Sequence, residues 1–223
     1  MKRKKLFSEL LFLLLTVMLL IPVSVQAAAA KPGTVKLSSI KAVDYNKINI
    51  KWKKVSGATN YIVYYKKAGS SKWVKVKTLD NKKSSYTHTS SKKYPIVVGQ
   101  KYQYTVKAYN KKTKKSGNYN TKGLTVTASL KMVTGIEAKI EGTTVKLTWN
   151  KVSGADKYAI YSKIKADDKW SKIITVKDTS SFIDVNPCVD CTNYYSVRGY
   201  SSSTKAYGIM NKTGVSIYVK DSD

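Results

Sequence analysis

The residues from which a reactive centre would have to be built are few. The chain of 223 residues has one histidine, His88, two cysteines, Cys188 and Cys191, and 13 acids against 41 lysines and arginines. Catalysis needs a base, a nucleophile or a metal held beside a partner. His88 has no second histidine or cysteine in its half of the chain, where the acids, Asp44 and Asp80, lie far apart. Its register matches Asp184 near a strand end, so a solvated polar side chain is expected there. Cys188 and Cys191 lie three apart and suit a tight loop disulfide or inert thiols. A zinc site would need about four ligands, and no helix follows to activate a thiol. Asp167-Asp168 falls in a turn, where Asp bonds local backbone. Neither a glycine-rich phosphate loop nor a catalytic-serine motif occurs. The expectation is a chain with no catalytic residue, no metal and no cofactor.

Charge is the stronger chemical signal. Residues 31–130 hold 23 lysines and no arginine against Asp44 and Asp80, a balance of +21. Residues 131–223 hold 13 lysines and Arg198 against 10 acids, a balance of +4. A field of that size draws in polyanions and weakens with salt. Lysine is a hydrated point charge and lacks arginine's planar fork, so it suits loose, sequence-indifferent docking. Teichoic acid, acidic polysaccharide, extracellular DNA and anionic lipid all fit. The alternative is a lysine-rich surface kept for solubility, which would not single out one half.

Those halves are copies of one design. Trp52-Lys53-Lys54-Val55-Ser56-Gly57-Ala58-Thr59-Asn60-Tyr61 returns as Trp149-Asn150-Lys151-Val152-Ser153-Gly154-Ala155-Asp156-Lys157-Tyr158, a step of 97 residues, and Trp73 returns as Trp170. That step is too long for a solenoid and right for a small β domain. Alternating apolar residues, rich in β-branched and aromatic types, predict seven strands per copy. They fall near 35–43, 47–54, 60–67, 72–78, 84–89, 101–110 and 122–128, then 133–140, 143–151, 157–165, 169–177, 180–185, 192–201 and 213–219. The boundary lies around Ser129–Thr134, short enough for the copies to abut. Ahead of them, Lys2 to Lys5, an apolar run from Leu10 to Ile21, Pro22 and the small residues to Ala30 read as a secretory signal. A retained anchor is the alternative, but the run is short for a span. The expected organisation is a signal peptide over 1–30, a basic domain over 31–130 and a second domain over 131–223. Export to the cell surface or medium follows, with no transmembrane span after cleavage.

Each copy resembles a fibronectin type III domain. The resemblance rests on Trp52 and Trp149 in the second strand, the Gly-Ala turns, Tyr61 and Tyr158 opening the third, and Gly99-Gln100-Lys101-Tyr102-Gln103-Tyr104-Thr105-Val106-Lys107-Ala108-Tyr109 as the sixth. It implies an all-β chain of two tandem seven-stranded Greek-key β-sandwiches, immunoglobulin-like in layout, acting in adhesion, docking or spacing without catalysis. It also places Tyr102 at the tyrosine corner, where a phenol pins nearby backbone. The second copy has Asn193 there, six residues having gone before its sixth strand, and a Cys188–Cys191 bridge is expected to stiffen the corner instead.

Strand alternation sends Tyr61, Val63, Tyr102, Tyr104, Val106 and Ala108 inward, with Trp52 and Trp149 as core anchors. Tyr64, Lys107 and Tyr109 then share an outer face, repeated as Tyr161, Arg198 and Tyr200, with Trp73 and Trp170 flanking. Aromatic rings beside cations form a platform for sugar rings or a surface protein, or else stabilise the sheet alone. Three functions remain. The favoured one is an exported binding or adhesion module on an anionic envelope polymer (teichoic acid or acidic polysaccharide) or extracellular polysaccharide. A structural spacer comes second. Nonspecific nucleic-acid binding is third, disfavoured by the lack of arginine in the basic half.

Overall fold

The structure, a computed structural model, describes residues 31–221. The signal segment over 1–30 and the last two residues lie outside the described residues. From Pro32 onward the chain forms one compact unit, built from two β-sandwiches called modules 1 and 2.

Alternation decides the strands of module 1. In β1 (Leu37–Asp44) and β2 (Lys47–Trp52) every second residue turns inward, so Ile48, Ile50 and Trp52 are buried while Lys51 is exposed. β3 (Asn60–Lys67) buries Tyr61, Val63 and Tyr65, and β6 (Lys101–Asn110) buries Tyr102, Tyr104, Val106 and Ala108. β4 (Val74–Asp80) and β5 (Ser85–Thr89) complete the layers, with β7 (Lys115–Ser116) and β8 (Leu124–Thr127) last. One sheet has the order β1-β2-β5; the other has β4-β3-β6-β7, with β8 also on β6. The expected seventh strand is β8; β7 is a further short strand ahead of it, and residues 117–123 leave the sheet between the two. Thr105 is buried on the outer face for that reason: its hydroxyl donates to the Asn120 carbonyl at 2.9 Å.

Module 2 repeats the plan with β9 (Glu137–Glu141), β10 (Thr144–Thr148), β11 (Lys157–Lys163), β12 (Ser171–Lys177), β13 (Ser181–Asp184), β14 (Cys191–Ser201), β15 (Ala206–Tyr207) and β16 (Val215–Val219). Its sheets run β13-β10-β9 and β12-β11-β14-β15, with β16 on β14. Even the irregularities recur. A bulge separates the partners of Val63 and Tyr64 on β4, and another those of Ile160 and Tyr161 on β12. Such bulges twist an edge strand away from stray pairing.

The duplicated decapeptide is explained by its last residue. The Tyr61 hydroxyl accepts the Val55 N–H at 2.9 Å, and the Tyr158 hydroxyl accepts the Val152 N–H at 2.8 Å. Each phenol pins the loop that follows the buried tryptophan, and each tryptophan tilts against it with centroids 5.5 Å apart. Trp52 and Trp149 are 3% and 4% exposed, core anchors as expected.

The modules do not merely abut. Val98, from the loop before β6, lies in the core of module 2 with Leu130, Val133 and Trp149. Tyr45, from the β1–β2 turn, packs on the same core, and a Cβ on Gly154 would strike its ring. Lys131 pairs with Asp44 at 3.4 Å across the junction.

Candidate functional site

The outer-face row expected from alternation exists as a register. Tyr64 stands opposite Thr105, Ile62 opposite Lys107 and Asn60 opposite Tyr109. The structure also fills that row from within the chain. Tyr119, in the segment between β7 and β8, meets Tyr64 edge-on at 5.2 Å, and the Lys107 ammonium lies over the Tyr119 ring at 4.5 Å. Burial and the Tyr119 contact push the Tyr64 phenol well above its ordinary range. In module 2 the guanidinium of Arg198 lies 5.0 Å from the Tyr207 ring and donates to the Gly208 carbonyl at 2.7 Å. The Tyr200 ring meets that of Tyr207 at 4.6 Å, tilted by 54°, while Tyr161 stands opposite Ser196. Tyr119 follows β7 and Tyr207 lies in β15, both in segments that the sequence reading left between its sixth and seventh strands.

Trp73 and Trp170 sit one residue ahead of β4 and β12. Lys66 covers the Trp73 ring at 4.8 Å and Lys163 covers Trp170 at 4.9 Å. The far edge of each ring lies by the glycine just ahead of the final strand, Gly123 or Gly214. Both glycines hold positive φ, and a Cβ there would run into the carbonyl of Tyr104 or Tyr195. Each tryptophan thus has a lysine over its ring and a glycine turn at its edge, so one face of each ring is already occupied from within the chain.

His88 overturns its expectation. It is 1% exposed, inside the core of module 1, with Nδ1 2.7 Å from the Tyr104 hydroxyl and Nε2 3.2 Å from the Tyr94 carbonyl. The carbonyl can only accept, so Nε2 carries the proton and Nδ1 accepts from Tyr104. The imidazole is neutral, and burial holds its pKa below the ordinary value. Rings of Tyr65, Tyr86, Tyr94 and Tyr104 surround it. Its counterpart Asp184 does the same job in module 2, accepting the Tyr195 hydroxyl at 2.6 Å. The register match was right, but polarity was misread as exposure: each polar group satisfies a buried phenol.

The corner before β14 also differs from its expectation. Tyr102 acts as read, its hydroxyl accepting the Val97 N–H at 2.9 Å. In module 2 Asn193 takes over directly: Oδ1 accepts the Cys188 N–H at 2.9 Å and Nδ2 donates to the Cys188 carbonyl at 2.7 Å. Cys188 and Cys191 are joined, with Cα atoms 5.8 Å apart. The amide supplies the pin, and the bridge lies beside it. Among the described residues no group of three His, Cys, Asp or Glu side chains could hold a metal ion.

Electrostatically the modules diverge. Both acids of module 1 are engaged within the chain: Asp44 with Lys131, and Asp80 accepting the Lys82 N–H at 2.8 Å. On the outer face of β1-β2-β5, Lys41, Lys47 and Lys51 alternate with Ser39, Asn49, Ser85 and Thr87. The matching face of module 2 carries Glu137 and Glu141, with Lys146 bonded to Glu141 at 3.0 Å.

No family model and no curated protein matches the chain. Among solved structures, it is similar to a two-domain fibronectin type III segment of chicken tenascin, with TM-score 0.50 and 11% identity over 84% of this chain and 98% of that one. The chicken CNTN1 FN1–FN3 domains align at TM-score 0.37 and 19% identity, over 86% of this chain and 67% of that one. With the strand orders above, the first likeness shows the fold: this chain is two consecutive β-sandwiches of the fibronectin type III fold.

Proposed function

We infer that the chain is an exported, non-catalytic binding module, held by its basic first domain on an anionic polymer of the cell envelope or an acidic extracellular polysaccharide. One observation carries this. Two modules of the same fold differ by +21 against +4, and the acids of the basic one are already bonded within the chain. Solubility would not concentrate charge in one copy, whereas attraction to a polyanion needs such a field. The fold itself hosts many functions and supplies no ligand. The aromatic row contributes less, because Lys66 and Lys163 already cover Trp73 and Trp170, while Tyr64 is half-buried against Tyr119.

The test is retention of the full chain on isolated bacterial cell wall, with its polyanion intact or stripped, across a salt series. The full chain is needed because Val98 and Tyr45 pack into module 2. Retention only on intact wall, falling steeply with salt, is expected. Replacing Tyr64 and Tyr109 together with Ala should change it by less than about twofold. Binding that ignores salt and vanishes in this double variant would replace the electrostatic reading with a sugar-stacking one. No retention at any salt would leave the spacer role.

A further inference from the structure

Module 1 has two ends. At one, the β1–β2 turn with Tyr45 and the Val98 loop meet module 2. At the other, three connections converge: residues 53–59 between β2 and β3, 81–84 between β4 and β5, and 111–114 between β6 and β7. Hydrogen bonds tie them together. Asn81 Nδ2 donates to the Ala58 carbonyl at 3.2 Å, Asn110 Nδ2 to the Gly57 carbonyl at 2.7 Å, and the Lys111 N–H to Thr59 Oγ1 at 2.9 Å. Each connection carries an adjacent, exposed lysine pair: Lys53-Lys54, Lys82-Lys83 and Lys111-Lys112.

The same connections in module 2 read Asn150-Lys151, the shorter Asp178-Thr179-Ser180, and Ser202-Ser203. One lysine of the three pairs survives, Lys151, bonded to Asp178 at 2.9 Å, and outside the pairs Lys205 stands where Lys114 does. That end faces module 1, since Gly154 lies under Tyr45. The lysine pairs thus occur only on the copy whose loop end is turned away from its neighbour. Two of the loop backbones need no lysine pair: module 2 closes the turns matching 53–59 and 111–114 at the same length, with Lys205 repeating the positive φ of Lys114. Its β12–β13 connection is one residue shorter and turns through a positive φ at Asp178.

We propose that this loop end of module 1 is the docking site for a flexible phosphodiester polymer of the teichoic type. The proposal rests on the polyanion reading above and names its site and ligand class. Six ammonium groups on three cross-tied loops form a compact, multidirectional positive surface without a planar fork. Such point charges need no bidentate geometry, and their spread over three loops suits a flexible phosphodiester chain, which can bend to follow them, better than carboxylates fixed on stiff sugar rings.

The test compares two variants of the full chain with equal charge loss. The loop variant takes the residues of module 2 or their like: K53N, K82T, K83S, K111S and K112S. The face variant removes five exposed strand lysines: K41T, K51T, K75T, K77T and K101T. The probe is immobilised synthetic poly(glycerol phosphate), with polygalacturonate as the carboxylate comparator, each over a salt series. The loop variant should bind more than about tenfold more weakly at physiological salt, with its salt slope more than halved; the face variant should stay within about threefold of the unaltered chain. Should a variant fail to fold, amine acylation of the unaltered chain with and without polymer gives the same answer. Protection should fall on the three lysine pairs.

Equal weakening of both variants, or protection of strand lysines instead, overturns the loop site and leaves the polyanion reading standing. Equal binding to polygalacturonate overturns the phosphodiester assignment. An unaltered chain that binds neither polymer and no intact wall overturns the polyanion reading itself.

Discussion

Modules 1 and 2 follow one plan, and they part at three places: the group that satisfies the buried phenol of β6 or β14, the residue that pins the corner before that strand, and the charge on the loops. His88 faces Tyr104 where Asp184 faces Tyr195, and Tyr102 stands where Asn193 does. The first two exchanges preserve a hydrogen bond with different chemistry, so the fold demands the bond and not the residue. The third preserves nothing, since Lys-Lys pairs give way to Ser, Thr and Asn, in two loops of unchanged length and one that is a residue shorter. Where substitution is conservative in bonding, the fold is being maintained; where it changes charge alone, some purpose outside the fold is free to act.

The largest way to probe the shared plan is to remove its anchor. Trp52→Ala and Trp149→Ala should each cost about 3–5 kcal/mol, because both indoles are buried and tilt on a loop-pinning tyrosine. Hydrogen exchange should show protection lost first across β1–β8 in one variant and across β9–β16 in the other. Simultaneous loss over both modules in either variant would show that the packing around Val98 and Tyr45 makes them a single unfolding unit.

The corners come next. Tyr102→Phe strands the Val97 N–H, and Asn193→Ala strands both the N–H and the carbonyl of Cys188. A buried polar group left unpaired costs about 1–3 kcal/mol. Denaturant unfolding should therefore rank Asn193→Ala as the more damaging. If reduction of the Cys188–Cys191 bond costs more than Asn193→Ala, the bridge and not the amide holds that corner.

Acid should separate the modules more gently. His88 is neutral when folded, and its folded pKa lies below the ordinary unfolded value near 6.5. Its contribution is fully present above that pH. It is lost as pH falls from about 6.5 toward the lower folded value, because the unfolded chain takes up the proton first. Module 1 should lose stability with a slope approaching about 1.4 kcal/mol per pH unit in that window, and His88→Phe should flatten it. Thermal unfolding at pH 7 and pH 5, resolved by module, makes the measurement. An unchanged slope in His88→Phe would assign the acid sensitivity to some other group.

The smallest effect belongs to the junction. Asp44→Asn breaks the pairing with Lys131, whose side chain is more than half exposed. A loss below about 1 kcal/mol is expected, shrinking further in high salt. Asparagine can still accept the Tyr45 N–H, so a salt-independent loss would mean that the ion pair is not what the substitution removes.

The sequence made the fold legible because its signals were local. Inward alternation in β2, β3 and β6 and the twice-written decapeptide needed no knowledge of distant partners. The failures were all nonlocal. His88 read as solvated because the phenol that buries it lies 16 residues on, in the opposite sheet. Asn193 read as a lost tyrosine because its two bonds close a loop whose path is visible only in three dimensions. Tyr64 and Lys107 do stand on neighbouring strands, but Tyr119 and Tyr207 come from segments left between strands, whose return over that face alternation cannot announce. The lysine pairs were plain as letters; that three of them gather at one end followed only from the strand order.

That gathering has a mechanical consequence. A molecule whose positive charge sits in one of two joined bodies feels torque as well as attraction near a negatively charged surface. The basic body swings toward the surface and the near-neutral body trails outward, so alignment precedes contact. Whatever module 2 exposes, including Ile173 and Ile174 on the edge strand β12, is then displayed on the side away from that surface, like a weather vane set by the field it stands in.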